Sequence, residues 1–184
     1  MSAHPLPIVI ATLATSGIEH MIAGSVASSF HGEPRSTRDV DLVIVAEQAG
    51  IERFLELLDR DRFYVAERAA REALGCQGQF NVIDTETMWK FDLMVRRDRA
   101  FSLSEFSRRR TAVVFDTTVW IASAEDTILA KLEWANESES ERQRADVVSV
   151  LAVLDGELDN EYLDRWAKEL GVVEALGDAR RAAQ

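Results

Sequence analysis

Hydrophobic and polar positions follow two different periods along this chain. Up to residue 121 the apolar runs are short and several alternate with polar residues, whereas beyond it they recur every three or four positions. Alternation marks a half-buried strand, and the longer period marks an amphipathic helix. The clearest strand is 39–45, Asp-Val-Asp-Leu-Val-Ile-Val. Successive strand side chains point to opposite faces, so Asp39 and Asp41 share one face while Val40 and Leu42 enter the core. Further strands are expected at 20–23, 63–65 (an edge), 80–83 and 89–95. A hairpin of 111–115 and 118–121 turns around Asp116-Thr117 and places Trp120 in the core. Helices are expected at 6–16, 26–30, 50–58 and 66–74, with Gly75 and Gly78 in the turn that follows. After residue 121, Ser123 and Asp126 form a near capping box ahead of the stripe Ile128, Leu129 and Leu132. A helix over 142–154 follows, and Asp159-Asn160 opens another through Tyr162, Leu163, Trp166 and Leu170. The acidic stretch 136–141 reads as a flexible connection. The pattern thus divides the chain into an α/β part, 1–122, and a C-terminal helical region, 123–184.

Strand 39–45 also carries the first candidate chemistry. Two carboxylates about 5 Å apart repel by roughly 3 kcal/mol at an effective dielectric near 20, a cost readily tolerated when a cation sits between them. Oxygen-only ligands on a rigid strand suit Mg²⁺, which takes one or two carboxylates and leaves positions for substrate phosphates. Upstream, Gly24-Ser25 opens a short helix with Ser25 as its N-cap and Gly32 as its stop. Its unpaired N–H groups and partial positive charge offer a phosphate seat; without an anion the same residues make an ordinary strand–turn–helix junction. His31 reads as a helix-end residue rather than a catalyst. The Arg-bearing turn 34–38 leads into the strand and brings Arg38 to its start.

Asp92 is an isolated acid in the apolar strand 89–95. Burying it is costly unless it is paired or bound to metal; otherwise it is a rim aspartate facing water. Asp84, in turn-like surroundings, is the alternative. A basic island follows at Arg96, Arg97, Arg99 and Arg108-Arg109-Arg110. Guanidinium forks suit phosphates, while a solvated face with internal ion pairs, Glu105 among them, is the competing reading.

Length and charge then narrow the picture. A chain of 184 residues, 47% of them hydrophobic, is enough for one domain with a helical extension. A formal net charge of −11 argues against broad DNA binding, yet leaves room for a local basic groove. The single cysteine, Cys76, excludes an internal disulfide and fits a reducing, cytoplasmic setting, with the thiol as a packing or loop residue. The apolar run 6–13 is too short and too poor in basic residues for a signal peptide or a membrane span.

Gly24-Ser25, thirteen intervening residues and then Asp39-Val40-Asp41-Leu42 together resemble the signature of the nucleotidyltransferase superfamily with the polymerase-beta-like fold. The wording Arg35-Ser36-Thr37-Arg38-Asp39-Val40-Asp41 is similar to its small bacterial and archaeal branch. That branch includes minimal nucleotidyltransferases and the toxin halves of abortive-infection-type toxin–antitoxin pairs. The resemblance implies an α/β (α+β) fold, a mixed central sheet flanked by helices with a C-terminal helical extension. It implies Asp39, Asp41 and a third strand carboxylate as ligands of Mg²⁺ (or Mn²⁺), and Lys90-Phe91-Asp92-Leu93-Met94-Val95 resembles the element that carries the third. Gly24, Ser25 and Arg38 would hold the phosphates of an NTP such as ATP, and Asp92 would be the general base.

The segment 125–132 followed by Arg144-Ala145-Asp146 is similar to the helical region of the abortive-infection branch. This implies Lys131 on the triphosphate and Asp146 orienting it or assisting proton transfer. Read from the residues alone, Lys131 and Asp146 equally make an interhelical salt bridge. The implied activity moves NMP from an NTP to a hydroxyl of RNA, protein or a small molecule, in a toxin-type enzyme with an antitoxin partner. The acidic 136–141 stretch departs from the more basic loop of that branch and weighs against a large RNA partner. The alternatives are a catalytically inactive nucleotidyltransferase-fold binding or partner module, and a metal phosphohydrolase using the same carboxylates.

Overall fold

The structure, a computed structural model, describes residues 4–138 and 140–184. The elements run α1 (Leu6–Thr15), β1 (Glu19–Ala23), α2 (Gly24–His31), β2 (Asp39–Val45), α3 (Gln48–Leu57), β3 (Phe63–Val65), α4 (Glu67–Cys76), β4 (Gln79–Asp84) and β5 (Lys90–Val95). They continue with α5 (Ala100–Ser107), β6 (Arg110–Val114), β7 (Thr117–Ile121), α6 (Ala124–Ser138), α7 (Glu141–Val153), α8 (Asn160–Glu169) and α9 (Val173–Ala182). The chain forms two compact units. One holds the described residues up to Ile22 and Thr37–Ile121; the other holds Ala23–Ser36 and the described residues of Ala122–Gln184. Residues 23–36 thus group with the C-terminal helices, where the pattern along the chain divides it only at 122/123. Among the described residues no helix is long and apolar enough to cross a membrane.

The first unit is built on a mixed seven-stranded sheet in the order β3-β4-β5-β2-β1-β7-β6. β2 pairs with β5, and β1 with β7, in parallel; β3–β4, β4–β5 and β6–β7 are antiparallel. Val40, Leu42, Ile44, Phe91 and Leu93 are fully buried on one face of β2 and β5. Phe54 of α3 meets Phe80 of β4 there, ring centroids 6.4 Å apart. The short edge strand at 63–65 is present.

Three local expectations for this unit change. Trp120 is 41% exposed, because Val119 and Ile121 take the buried positions and the period of two leaves Trp120 outside. The hairpin turns on Phe115-Asp116, both at positive φ (47° and 58°), the pairing of a type I′ turn that matches the twist of its strands. Gly75 lies inside α4, and Gln77 takes the left-handed cap at φ 48°.

The second unit is helical. α6 pairs with α7, and α2 packs against both. The close approach of α2 to α7 depends on Gly32: a Cβ there would lie 2.7 Å from Ser149 Oγ and 2.9 Å from the Val150 nitrogen. Ser123 caps α6 as expected, its Oγ accepting the Asp126 N–H (3.1 Å). The Asp126 carboxylate, fully buried, accepts from Ser123 Oγ (2.6 Å) and Tyr162 Oη (2.5 Å), tying α8 to α6. Asp159 caps α8 through the Tyr162 N–H, 3.0 Å. The connection expected at 136–141 is shorter than its composition suggests: 136–138 continue α6 and Glu141 begins α7, while residue 139 lies outside the described residues.

Candidate active site

Parallel pairing in register decides which charges meet on the first unit's half-open sheet face. Asp39 stands opposite Lys90, and Asp41 opposite Asp92. The Lys90 N–H, bonded to the Arg38 carbonyl at 2.9 Å, holds the strand starts level. Neighbouring strands lie about 4.8 Å apart, whereas positions i and i+2 along a strand are about 6.6 Å apart. The tighter like-charge neighbours are therefore Asp41 and Asp92, not Asp39 and Asp41. Lys90 Nζ lies 2.8 Å from Asp92 Oδ2 and 3.7 Å from Asp39 Oδ1. The hydrogen bond to Asp92 raises the Lys90 pKa, helped by the charges of Asp92, Asp39 and Asp41 against the opposing effect of burial. Three carboxylates thus share one ammonium.

Asp92 is only 14% exposed, so it is not a rim residue, and its Oδ1 is buried with no hydrogen-bond partner. Asp39 is exposed and Asp41 half-buried; neither is packed into the interior. Among the described residues no three His, Cys, Asp or Glu side chains are gathered to hold a metal ion as they stand. The donor set nonetheless suits a hard cation: carboxylate oxygens on rigid strands, one of them unpartnered, with a monovalent cation already among them.

In the second unit the charges are arranged the other way round. Gly24, at φ 56°, turns the chain into α2. Ser25 is not the N-cap: Ala23 holds that position without a side-chain bond, and Ser25 sits in the first turn. Arg35 bonds Asp146 through two nitrogens, Nε to Oδ1 at 2.8 Å and Nη2 to Oδ2 at 2.9 Å, and Nη2 also donates to Ser25 Oγ. Lys131 Nζ donates to the same Asp146 Oδ2 (2.7 Å) and to Gln143 Oε1 (2.7 Å), and Ser28 Oγ adds a bond to Oδ2 at 3.2 Å. The interhelical pair of Lys131 and Asp146 is therefore formed, and it is buried, with side chains 4% and 8% exposed. Burial pushes the Asp146 carboxyl up, but hydrogen bonds from Arg35 and Lys131 outweigh it and hold it below the usual carboxylate range. Arg35 Nη1 is buried with no hydrogen-bond partner. One carboxylate is thus shared by two cations.

The remaining candidates have positions or partners of their own. The Arg38 side chain is exposed at the start of β2. Asp84 is fully buried and held by Arg62 (2.8 Å) and Thr87, so it is a pinned structural ion pair rather than a loose turn residue. His31 Nε2 donates to the Ala122 carbonyl at 2.8 Å, a helix-end role. Arg144 turns to Glu141 on the α7 surface. Much of the basic island is engaged internally. Arg96 and Arg109 lie over the Phe106 ring, Arg109 also over Trp120 and bonded to Glu19 at 2.6 Å, and Arg99 bonds Ser102 at 3.0 Å.

Two members of these clusters, Lys90 and Arg35, are not among the site residues expected from sequence. Lys90 follows from the same alternation that places Asp92, two positions on and facing the same way. Arg35 has no such signal, because its carboxylate partner lies more than a hundred residues downstream.

No family model matches the chain, and no curated protein matches it. Solved structures do. An antigenic nucleotidyltransferase-like protein from Paracoccidioides brasiliensis superposes with a TM-score of 0.55 at 16% identity, covering 96% of this chain and 91% of that one. The antibiotic-resistance factor ANT(2'')-Ia, whose solution structure is described as showing substrate-regulated conformation dynamics, gives a TM-score of 0.55 at 15% identity over 97% and 91%. At these identities the likeness is one of architecture, and it agrees with the mixed sheet described above. This chain has the fold of the nucleotidyltransferase-like proteins.

Proposed function

We propose that this chain transfers a nucleoside monophosphate from an NTP to an acceptor hydroxyl with the help of a divalent cation. The observation that carries the reading is the sheet cluster of the first unit, where three carboxylates around one ammonium call for more positive charge. A divalent cation accompanying a nucleoside triphosphate supplies it. In the second unit two cations around one carboxylate call for more negative charge, which phosphate oxygens supply. Asp39, Asp41 and Asp92 would hold Mg²⁺ or Mn²⁺, which when bound polarises phosphoryl oxygens and neutralises the leaving pyrophosphate. Arg35 and Lys131 bind triphosphate oxygens, Arg35 through its planar fork and Lys131 as a point charge. Asp146 orients both. Gly24 and Ser25 offer the first-turn N–H groups of α2, whose N-cap residue, Ala23, makes no side-chain cap bond. Asp92 takes the proton of the acceptor hydroxyl as its oxygen bonds the α-phosphorus and the bond to pyrophosphate breaks.

The test is transfer of label from an α-labelled NTP to total RNA, a proteome and small hydroxyl compounds, antibiotics included. Asp41→Asn is expected to lower transfer by at least about a thousandfold, on the scale of lost metal and charge stabilisation in the transition state. Its melting temperature should hardly change, since Asp41 is half-buried on an open face. Equal transfer by that variant would overturn the assignment.

The wording of 35–41 supports placement in the small bacterial and archaeal branch, where a toxin-type enzyme would bind an antitoxin. Stable co-purification with the product of the neighbouring gene tests this. A second reading, an inactive module of the same fold, is favoured by the Lys90 ammonium, which already pairs with Asp92 at 2.8 Å. Nucleotide binding that strengthens with Mg²⁺ would exclude it.

A further inference from the structure

The sheet face of the first unit holds one basic side chain whose position the proposed reaction does not use. Lys90 Nζ lies between Asp92 and Asp39, with Asp41 adding to its field, on the face where the carboxylates stand opposite one another. Lys90 enters β5 two residues before Asp92, so the strand itself directs both side chains to this face. It is a tethered cation, delivered to the acids at an effective concentration that no free monovalent ion reaches. We infer that Lys90 is the built-in counter-ion of the carboxylate cluster, and that a divalent cation enters by displacing its ammonium from Asp92. This rests on the metal-dependent reading of the same site.

Two consequences separate this role from that of an ordinary surface pair. Without metal, the ammonium keeps Asp41 and Asp92 compatible as close neighbours, so the protein stays folded with its acids ionised. With metal, the ammonium and the dication compete for the same oxygens, and like charges within a few ångströms repel strongly where water is partly excluded. The stem of Lys90 is long and half-exposed, which leaves the ammonium free to swing towards solvent or towards an anionic ligand. Lys90 therefore lowers affinity for bare metal and couples metal entry to the arrival of another partner for its charge.

The experiment is a Mn²⁺ titration of the full chain without nucleotide, followed by the electron paramagnetic resonance of free Mn²⁺, on the wild type, Lys90→Met, Lys90→Arg and Asp92→Asn. Lys90→Met is expected to bind Mn²⁺ at least about tenfold more tightly than wild type, Lys90→Arg no more tightly, and Asp92→Asn more weakly. Lys90→Met should also melt at a lower temperature than wild type in chelator and regain the difference when Mn²⁺ is added. Equal or weaker Mn²⁺ binding by Lys90→Met overturns the inference, as does its melting unchanged in chelator. If that happens while label transfer still depends on Asp41, the counter-ion role fails and the enzymatic reading stands. If no variant binds Mn²⁺ and no label moves, both fail.

Discussion

The two charged clusters of this protein are built to opposite recipes. On the sheet of the first unit, three acids surround one lysine in a half-open setting. In the helical unit, an arginine and a lysine close on one buried aspartate. The difference teaches which sign of charge each cluster lacks and how deeply each is tied into the fold. The helical cluster is saturated with respect to its carboxylate, whose Oδ2 receives Arg35, Lys131 and Ser28. The sheet cluster is not saturated, since a buried oxygen of Asp92 lacks a partner.

The sharpest way to break this comparison is to remove the acid from each cluster. Asp146→Ala strands Lys131, 4% exposed, beside Arg35, and should destabilise the protein by about 3–5 kcal/mol in urea unfolding. Arg35→Ala leaves Asp146 paired with Lys131 and should cost about 2 kcal/mol, with nucleotide affinity reduced at least about tenfold by titration calorimetry. Asp92→Asn removes a like charge from beside Asp41 as well as a partner of Lys90, so stability should stay within about 1 kcal/mol of wild type. A loss as large as that of Asp146→Ala would erase the distinction between the clusters.

Acid titration distinguishes them in another way. The folded Asp146 pKa is held below its unfolded value, so its contribution is fully present above the unfolded pKa near 3.9 and is lost as pH falls through the lower folded value. Asp146→Asn should lack that component of acid unfolding, followed by circular dichroism. Lys90 has the opposite sign. Its pKa is raised, so its contribution is present below the unfolded value near 10.4 and fades only as pH rises through the higher folded one. The smallest effect is expected at Arg144→Ala, outside both clusters and paired on the surface with Glu141, with a change within about 0.5 kcal/mol.

Much of this architecture is legible along the chain, and the reasons are local. Strand 39–45 opens Asp-Val-Asp-Leu, so the order of its first residues is enough to assign its two faces, and burial alternates along all of it. The caps at Ser123 and Asp159 depend on neighbours three residues away, and sequence shows neighbours directly. The size of Trp120 suggests burial, while its parity in β7 sends it outwards. The helix α5 is hidden inside a basic run whose arginines cover aromatic rings. The register of β2 on β5 pairs residues about fifty positions apart, and no local pattern reports it. That register sets which acids are neighbours and makes Lys90 part of the cluster. The Arg35–Asp146 contact, 111 residues apart in sequence, is illegible for the same reason.

The rung-for-rung match of β2 and β5 also limits how this protein can vary. Inserting or deleting one residue in β5 ahead of Asp92 would rotate every later side chain through half a turn of the pleat. The carboxylate would then point into the hydrocarbon packed beneath, and Leu93 or Phe91 would emerge in its place. Exchange of single residues is open to this strand, but a change in its length is closed.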